Sequence, residues 1–167
     1  MKKLFTIINL MLVFFSYSQN DKPFRNAFEL NIVADLENNY TMKVDSTPYF
    51  VKEKILQIYP SERILVEVEI KKDTIYSMKV VKENLNPERT IEIEFSQNAE
   101  DRNNITMILN VKNPFDRILY HNAGMYTPKH DYWKATSIIP IKPKLQNFET
   151  WPHSIITLVL DNWRFKE

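Results

Sequence analysis

Hydrophobic residues recur at every second position along most of the chain. Phe28, Leu30, Ile32, Ala34 and Leu36 alternate with Glu29, Asn31 and Asp35, and Tyr40, Met42 and Val44 alternate with Thr41, Lys43 and Asp45. Ile64, Val66, Val68 and Ile70 alternate with Glu67, Glu69 and Lys71. Tyr76, Met78 and Val80, then Ile91, Ile93 and Phe95, repeat the pattern against charged neighbours. A period of two marks strands with one face buried and the other wet. Polar breaks separate these runs: Glu37-Asn38-Asn39, where asparagine tolerates left-handed backbone, and the tight pair Lys72-Asp73. Residues 96–104 are polar throughout and read as a mobile surface loop.

Residues 46–60 are ambiguous. Ser46 or Thr47 could cap a helix with Pro48 at its first position, and Val51, Ile55, Ile58 and Tyr59 fit a helical stripe. Ile55 to Tyr59 also fits a short strand, and the surrounding strands favour extended structure. Residues 105–126 organise the rest: a strand through Met107, Leu109 and Val111, a turn at Asn113-Pro114, and a second strand leading to Gly124, the sole glycine. Pro140 and Pro143 close an extended run from Trp133 and point to a sheet edge. Residues 154–165 form the last strand, with Ile156, Leu158 and Leu160 on its core face.

About eight or nine strands, at most one short helix and no repeat define an all-β antiparallel fold, a sandwich or a barrel. The strand-turn-strand unit from Leu109 to Tyr120 resembles the sheet-crossing turns of immunoglobulin-like two-sheet sandwiches, which implies that architecture. The alternative is a lipocalin-like up-and-down barrel enclosing a cavity.

The first residues follow another rule. Lys2 and Lys3 precede an apolar run over residues 4–15 and then Ser16-Tyr17-Ser18. This is the layout of a secretory signal peptide, residues 1–18. The run falls short of the roughly 20 apolar residues that span a bilayer. Its ending, Ser16-Tyr17-Ser18-Gln19, resembles export signals common among Bacteroidota envelope proteins. The expected organisation is therefore a signal peptide (1–18), a flexible lead-in (19–27) and one sandwich domain (28–167), working in the periplasm or outside the cell.

Charge and composition then remove several functions. Loss of residues 1–18 takes away two lysines and no acid, leaving 20 basic against 21 acidic side chains. No basic excess exists to neutralise phosphates, so nucleic-acid binding has no electrostatic support. With no cysteine, lipoprotein anchors, disulfides, thiolate zinc sites and cysteine nucleophiles are excluded. One glycine leaves no loop to cradle phosphates and no strained elbow for a serine nucleophile, and no cofactor is expected.

Two groups of residues remain. His121, His130 and His153, with Asp131 and Glu149 near two of them, could hold zinc if their loops converged, but no pair has the spacing of a metal motif. A hydrolytic triad could be drawn from Ser154 or Ser137 with a histidine and Asp131 or Asp161, as in any chain of this composition. The second group is aromatic: Trp133, Trp151 and Trp163, with Tyr120, Tyr126, Tyr132 and Phe148 among them. Trp163 on a strand is expected in the core, whereas Trp133 and Trp151 beside loops are expected at the surface. Tyr126, His130, Tyr132, Trp133 and Trp151 form the candidate binding surface, since Tyr and Trp supply large, rigid contact area. The reading is an exported non-catalytic binding or structural module of the bacterial cell envelope, its partner another envelope protein or a glycan. The alternatives are a carrier of a small apolar ligand or sugar and a metal-dependent hydrolase.

Overall fold

The structure, a computed structural model, describes residues 24–166. The expected signal peptide and the lead-in as far as residue 23 lie outside the described residues. Twelve strands lie within them. They are β1 (Phe28–Val33), β2 (Asn39–Val44), β3 (Phe50–Lys52), β4 (Ile55–Ile58), β5 (Glu62–Lys71) and β6 (Thr74–Val81). The chain continues with β7 (Thr90–Asn98), β8 (Thr106–Lys112), β9 (Leu119–Tyr126), β10 (Lys134–Thr136), β11 (Gln146–Trp151) and β12 (Thr157–Phe165). The ambiguous residues 46–60 are extended and hold β3 and β4, β10 lies within the expected extended run from Trp133, and β11 is a strand where the sequence pattern reads as irregular. Among the described residues the one helical turn is a 3-10 turn at Arg102–Asn104.

Two five-stranded antiparallel sheets face each other across a common core, so the fold is a β-sandwich. One sheet has the order β10-β9-β12-β4-β3 and the other β11-β8-β7-β5-β6. The first contributes Leu56, Ile58, Leu119, Leu158 and Leu160, and the second Ile64, Val66, Ile91, Ile93, Phe95, Met107 and Leu109, all nearly or wholly shielded from water. Neither sheet closes on itself. The β1-β2 hairpin forms a separate two-stranded layer with its own small core of Leu30, Ile32, Val44, Tyr59 and Ile156.

The stretch 105–126 does cross between sheets, because β8 and β9 belong to different ones. Asn113 makes the crossing possible. Wholly buried, its Nδ2 donates to the carbonyls of Arg117 (2.7 Å), Ile141 (3.0 Å) and Lys142 (3.1 Å), and its Oδ1 accepts from Phe115 N (2.9 Å). One side chain thereby ties together backbone groups of the crossing and of the segment around Ile141.

Four details differ from the sequence expectation. The turn between β1 and β2 is built by Asp35, whose Oδ1 accepts from Glu37 N (2.9 Å) and Asn38 N (2.8 Å), an Asx turn rather than an asparagine-driven one. Residues 96–104 are not a uniform loop: β7 runs to Asn98, and the Asp101 carboxylate accepts from Asn103 N (2.9 Å), Asn103 Nδ2 (2.9 Å) and Asn104 Nδ2 (2.6 Å). Lys72 (φ 48°) and Asp73 (φ 62°) form the expected tight turn, with positive φ at both positions as a right-twisted hairpin requires. Beyond it Glu69 pairs with Ser77 but Ile70 pairs with Ile75, so Tyr76 is the extra residue of a bulge. The bulge turns Ile75 inward and leaves Tyr76 and Ile70 at the surface, against the simple alternation.

The fourth difference is at the start. Residues 19–27 were expected to be loose, yet Arg25 is buried. Its guanidinium donates to Glu62 Oε1 (2.9 Å), Thr47 Oγ1 (3.1 Å) and Gln57 O (2.7 Å). It also lies between the ring faces of Tyr49 (4.7 Å) and Tyr59 (4.9 Å). At the other end of the hairpin the Gln97 amide exchanges two 2.9 Å hydrogen bonds with the N–H and C=O of Val33, standing in for a strand neighbour. These two clamps fix the hairpin to the sandwich.

Candidate functional site

β9 and its pairing with β12 and β10 carry the aromatic surface. Along β9, Leu119, His121 and Ala123 point into the sandwich, so Tyr120, Asn122, Gly124 and Tyr126 point out. Ala135 of β10 pairs with Gly124, and the loop between the two strands folds back over this outer face. A Cβ on Gly124 would stand 3.8 Å from Trp133 Cε3, so the indole lies near the glycine with room for a methyl group between them. Tyr126 meets Trp133 with ring centroids 5.6 Å apart, and His130 meets Tyr132 at 5.2 Å. Lys134 Nζ lies 5.4 Å from the centroid of Tyr132. His130 N donates to Thr127 O (3.3 Å), which sets the turn.

Four of the five expected surface residues are thus neighbours. Tyr132 is 52% and Trp133 49% exposed, while Tyr126 and His130 are half-buried. Trp151 is the correction. It is 8% exposed, belongs to the core, and its Nε1 donates to Thr136 Oγ1 at 2.9 Å. As the last residue of β11, opposite Met107, it shares the inward phase of Met107 and not that of the loop beside it. Trp163 is in the core, as expected.

The histidines divide in the same way. His121 stacks on Trp163 in the core, with ring centroids 4.6 Å apart. Burial, aided by the charge of Arg164, pushes its imidazole down to about 4, against a hydrogen bond to Asn122 O that acts the other way. His153 is half-buried beside the aromatic surface, and its pKa is lowered by burial and then by Lys129, Lys134 and His130. Lys129 and Lys134 therefore form a short cationic collar beside Tyr132 and Trp133, one that disfavours the protonation of His153, and the nearness of His153, which follows β11, is hidden from the sequence.

Among the described residues no three His, Asp or Glu side chains converge as a metal site would require. His121 is walled in and cannot reach the other two. Ser154 is buried and donates to the carbonyl of Val33, a clamp on the hairpin. Two surface depressions are open to solvent: one of about 420 Å³ between the hairpin and β3, and one of about 570 Å³ beside the β5-β6 turn. No helix among the described residues is long and apolar enough to cross a membrane.

The arrangement can bind. Rings held in place by packing offer flat apolar faces, and the surrounding cations attract negative charge. No protein-family model, curated protein or solved structure matches this chain.

Proposed function

We propose that the protein is an exported, non-catalytic binding module of the bacterial cell envelope, working in the periplasm or outside the cell. Its binding face is Tyr126, His130, Tyr132 and Trp133. Export rests on the signal-like residues 1–18. The observation that carries the binding role is the aromatic pair Tyr132 and Trp133, about half exposed yet packed against His130 and Tyr126, beside the collar of Lys129 and Lys134. Large aromatic side chains left in water at fixed positions are what a recognition surface needs, because little entropy is lost when a partner settles on them. The partner that fits best is an envelope glycan bearing acidic groups: ring faces take the C–H side of a sugar and the collar takes the acids. An envelope protein with an acidic patch is the other occupant of the same face.

Photo-crosslinking in the native cells tests this. A photoreactive residue replaces Trp133 in one strain and Phe148, an exposed aromatic on the opposite sheet, in another. An adduct at position 133 and none at 148 is expected. Loss of the adduct on glycosidase digestion identifies a glycan, and a discrete protein band identifies a protein partner. Equal labelling at both positions, or none at 133, overturns the reading.

A further inference from the structure

We propose that the open depression beside the β5-β6 turn is a second site, independent of the aromatic face, that binds the carboxylate or phosphate group of a small acidic sugar through Arg117 and Arg164. The depression holds about 570 Å³, within the usual range of ligand pockets, roughly 300–1,000 Å³. Its lining includes Arg117, Arg164 and Lys166, with Tyr120, Phe165 and Thr74 between them. Among the described residues the carboxylate in the lining is that of Asp73. A chain with almost balanced charge has gathered three cations in one concavity, which concentrates positive potential there.

The arginines are held for use. Arg117 Cζ lies 4.8 Å from the Phe165 ring centroid and Arg164 Cζ 5.2 Å from that of Tyr120. Rings that support the guanidinium faces leave the N–H donors at the edges to bind an anion, and the planar fork matches carboxylate and phosphate alike. Arg164 donates from Nη1 to Asn162 O (2.9 Å), which fixes the fork and uses one of its five N–H groups. Arg117 donates from Nη2 to Asp73 Oδ1 (2.8 Å) and more distantly from Nη1 to Asp73 O (3.4 Å), but the Asp73 side chain is 85% exposed. An ion pair so open to water is weak and readily exchanged for a ligand carboxylate.

The backbone explains why Arg164 is there at all. Leu158 and Leu160 point into the core, so uninterrupted alternation would send Arg164 inward and Trp163 outward. Asp161 pairs with Asn122 but Arg164 pairs with Tyr120, so β12 carries one extra residue, and Asn162 sits at φ 52°. This bulge reverses the phase: Trp163 and Phe165 enter the core, and Arg164 emerges beside Tyr120. Bulges of this kind re-aim side chains and cluster next to functional sites.

The test is an NMR titration of the full chain with galacturonate, glucose 6-phosphate, glucose and sulfate, following the amides of Tyr120, Arg164 and Phe165. Saturable shifts with either acidic sugar, at least about tenfold weaker binding in Arg164→Gln and in Arg117→Gln, and no response to glucose are expected. Galacturonate against glucose 6-phosphate decides which oxyanion the site prefers. Lys134→Gln, on the aromatic face, leaves these shifts unchanged, so loss of one site is distinguishable from loss of the other. Absence of saturation up to about 10 mM with both acidic sugars overturns the proposal. So does sulfate binding as tightly as they do, or affinity indifferent to both arginine variants; either marks an adventitious ion only.

Discussion

Arg25 and the Arg117–Arg164 pair use the same two interactions, an aromatic ring face and a carboxylate, with opposite results. At the hairpin junction Arg25 lies between two rings, its side chain 2% exposed and paired with Glu62 at 13%. Glu62 in turn accepts from Tyr59 N at 2.8 Å. Donors and acceptors are matched and water is shut out, so nothing remains to bind anything else. In the depression each guanidinium has one ring, and the Asp73 carboxylate beside them is almost wholly in water. Satisfaction separates a structural arginine from one available to a ligand. A buried charge must be fully partnered, whereas a half-exposed one can wait for its partner.

The sharpest way to break the comparison is to remove Arg25. Arg25→Ala leaves Glu62 facing two tyrosine rings without its cation, and breaking a buried pair in this way costs about 3–5 kcal/mol. Urea unfolding reads the loss, with a lower midpoint and an unchanged slope if the chain unfolds in one step. The double variant Arg25→Met with Glu62→Leu removes the unpaired charge and recovers part of that loss, the remainder being the cost of leaving Tyr59 N and Gln57 O without their partners. If Arg25→Ala costs less than about 1 kcal/mol, the junction is as open as the depression and the contrast collapses.

A second region, the buried His121–Trp163 stack, gives a pH test of intermediate size. The unfolded imidazole titrates near 6.5, whereas burial pushes the folded one down to about 4. The unfolded chain therefore binds the proton first as pH falls. Stability is intact above pH ~6.5 and is lost progressively toward pH ~4, by about 3 kcal/mol in all. His153 shifts in the same direction, and the lowered carboxylates Asp35, Glu67, Glu69, Glu92 and Asp101 add their losses only below their ordinary range. His121→Phe keeps the ring against Trp163 and removes the proton. Urea midpoints at pH 7, 6 and 5 then become nearly level. An unchanged slope moves the effect to His153 and the aromatic face.

Legibility followed the reach of the interaction. The period of two placed β1, β2, β5, β7 and β8, because each repeats its own signal over six or more residues. The crossing at Asn113-Pro114 was readable from a local turn. Phase beyond a bulge was not. Tyr76 and Asn162 each add one residue to a strand, and the side chains beyond them exchange faces, as the exposure of Tyr76 and of Arg164 shows. Trp151 is not legible because β11 is polar and carries an exposed Phe148, so no local period marks its inward face, while its partner in space is the buried Met107. Three of the aromatic residues of the candidate surface lay within a dozen residues and could be grouped by eye. His153, Arg25 and the depression depend on partners many residues away, and no local pattern records them.

The smallest effect decides most. Arg164→Gln removes a charge that touches a ring, a carbonyl and water, and surface changes of this kind stay within about 0.5 kcal/mol. Its unfolding midpoint should match that of the parent chain, in contrast to Arg25→Ala. If instead Arg164→Gln destabilises by about 2 kcal/mol or more, the guanidinium is there to hold the β12 bulge, and the depression is a by-product of packing. A matching midpoint leaves the left-handed Asn162 and the outward arginine without a stabilising role. The strain at φ 52° then serves the placement of Arg164 on the surface, as expected where a backbone irregularity is kept for what it presents to a ligand.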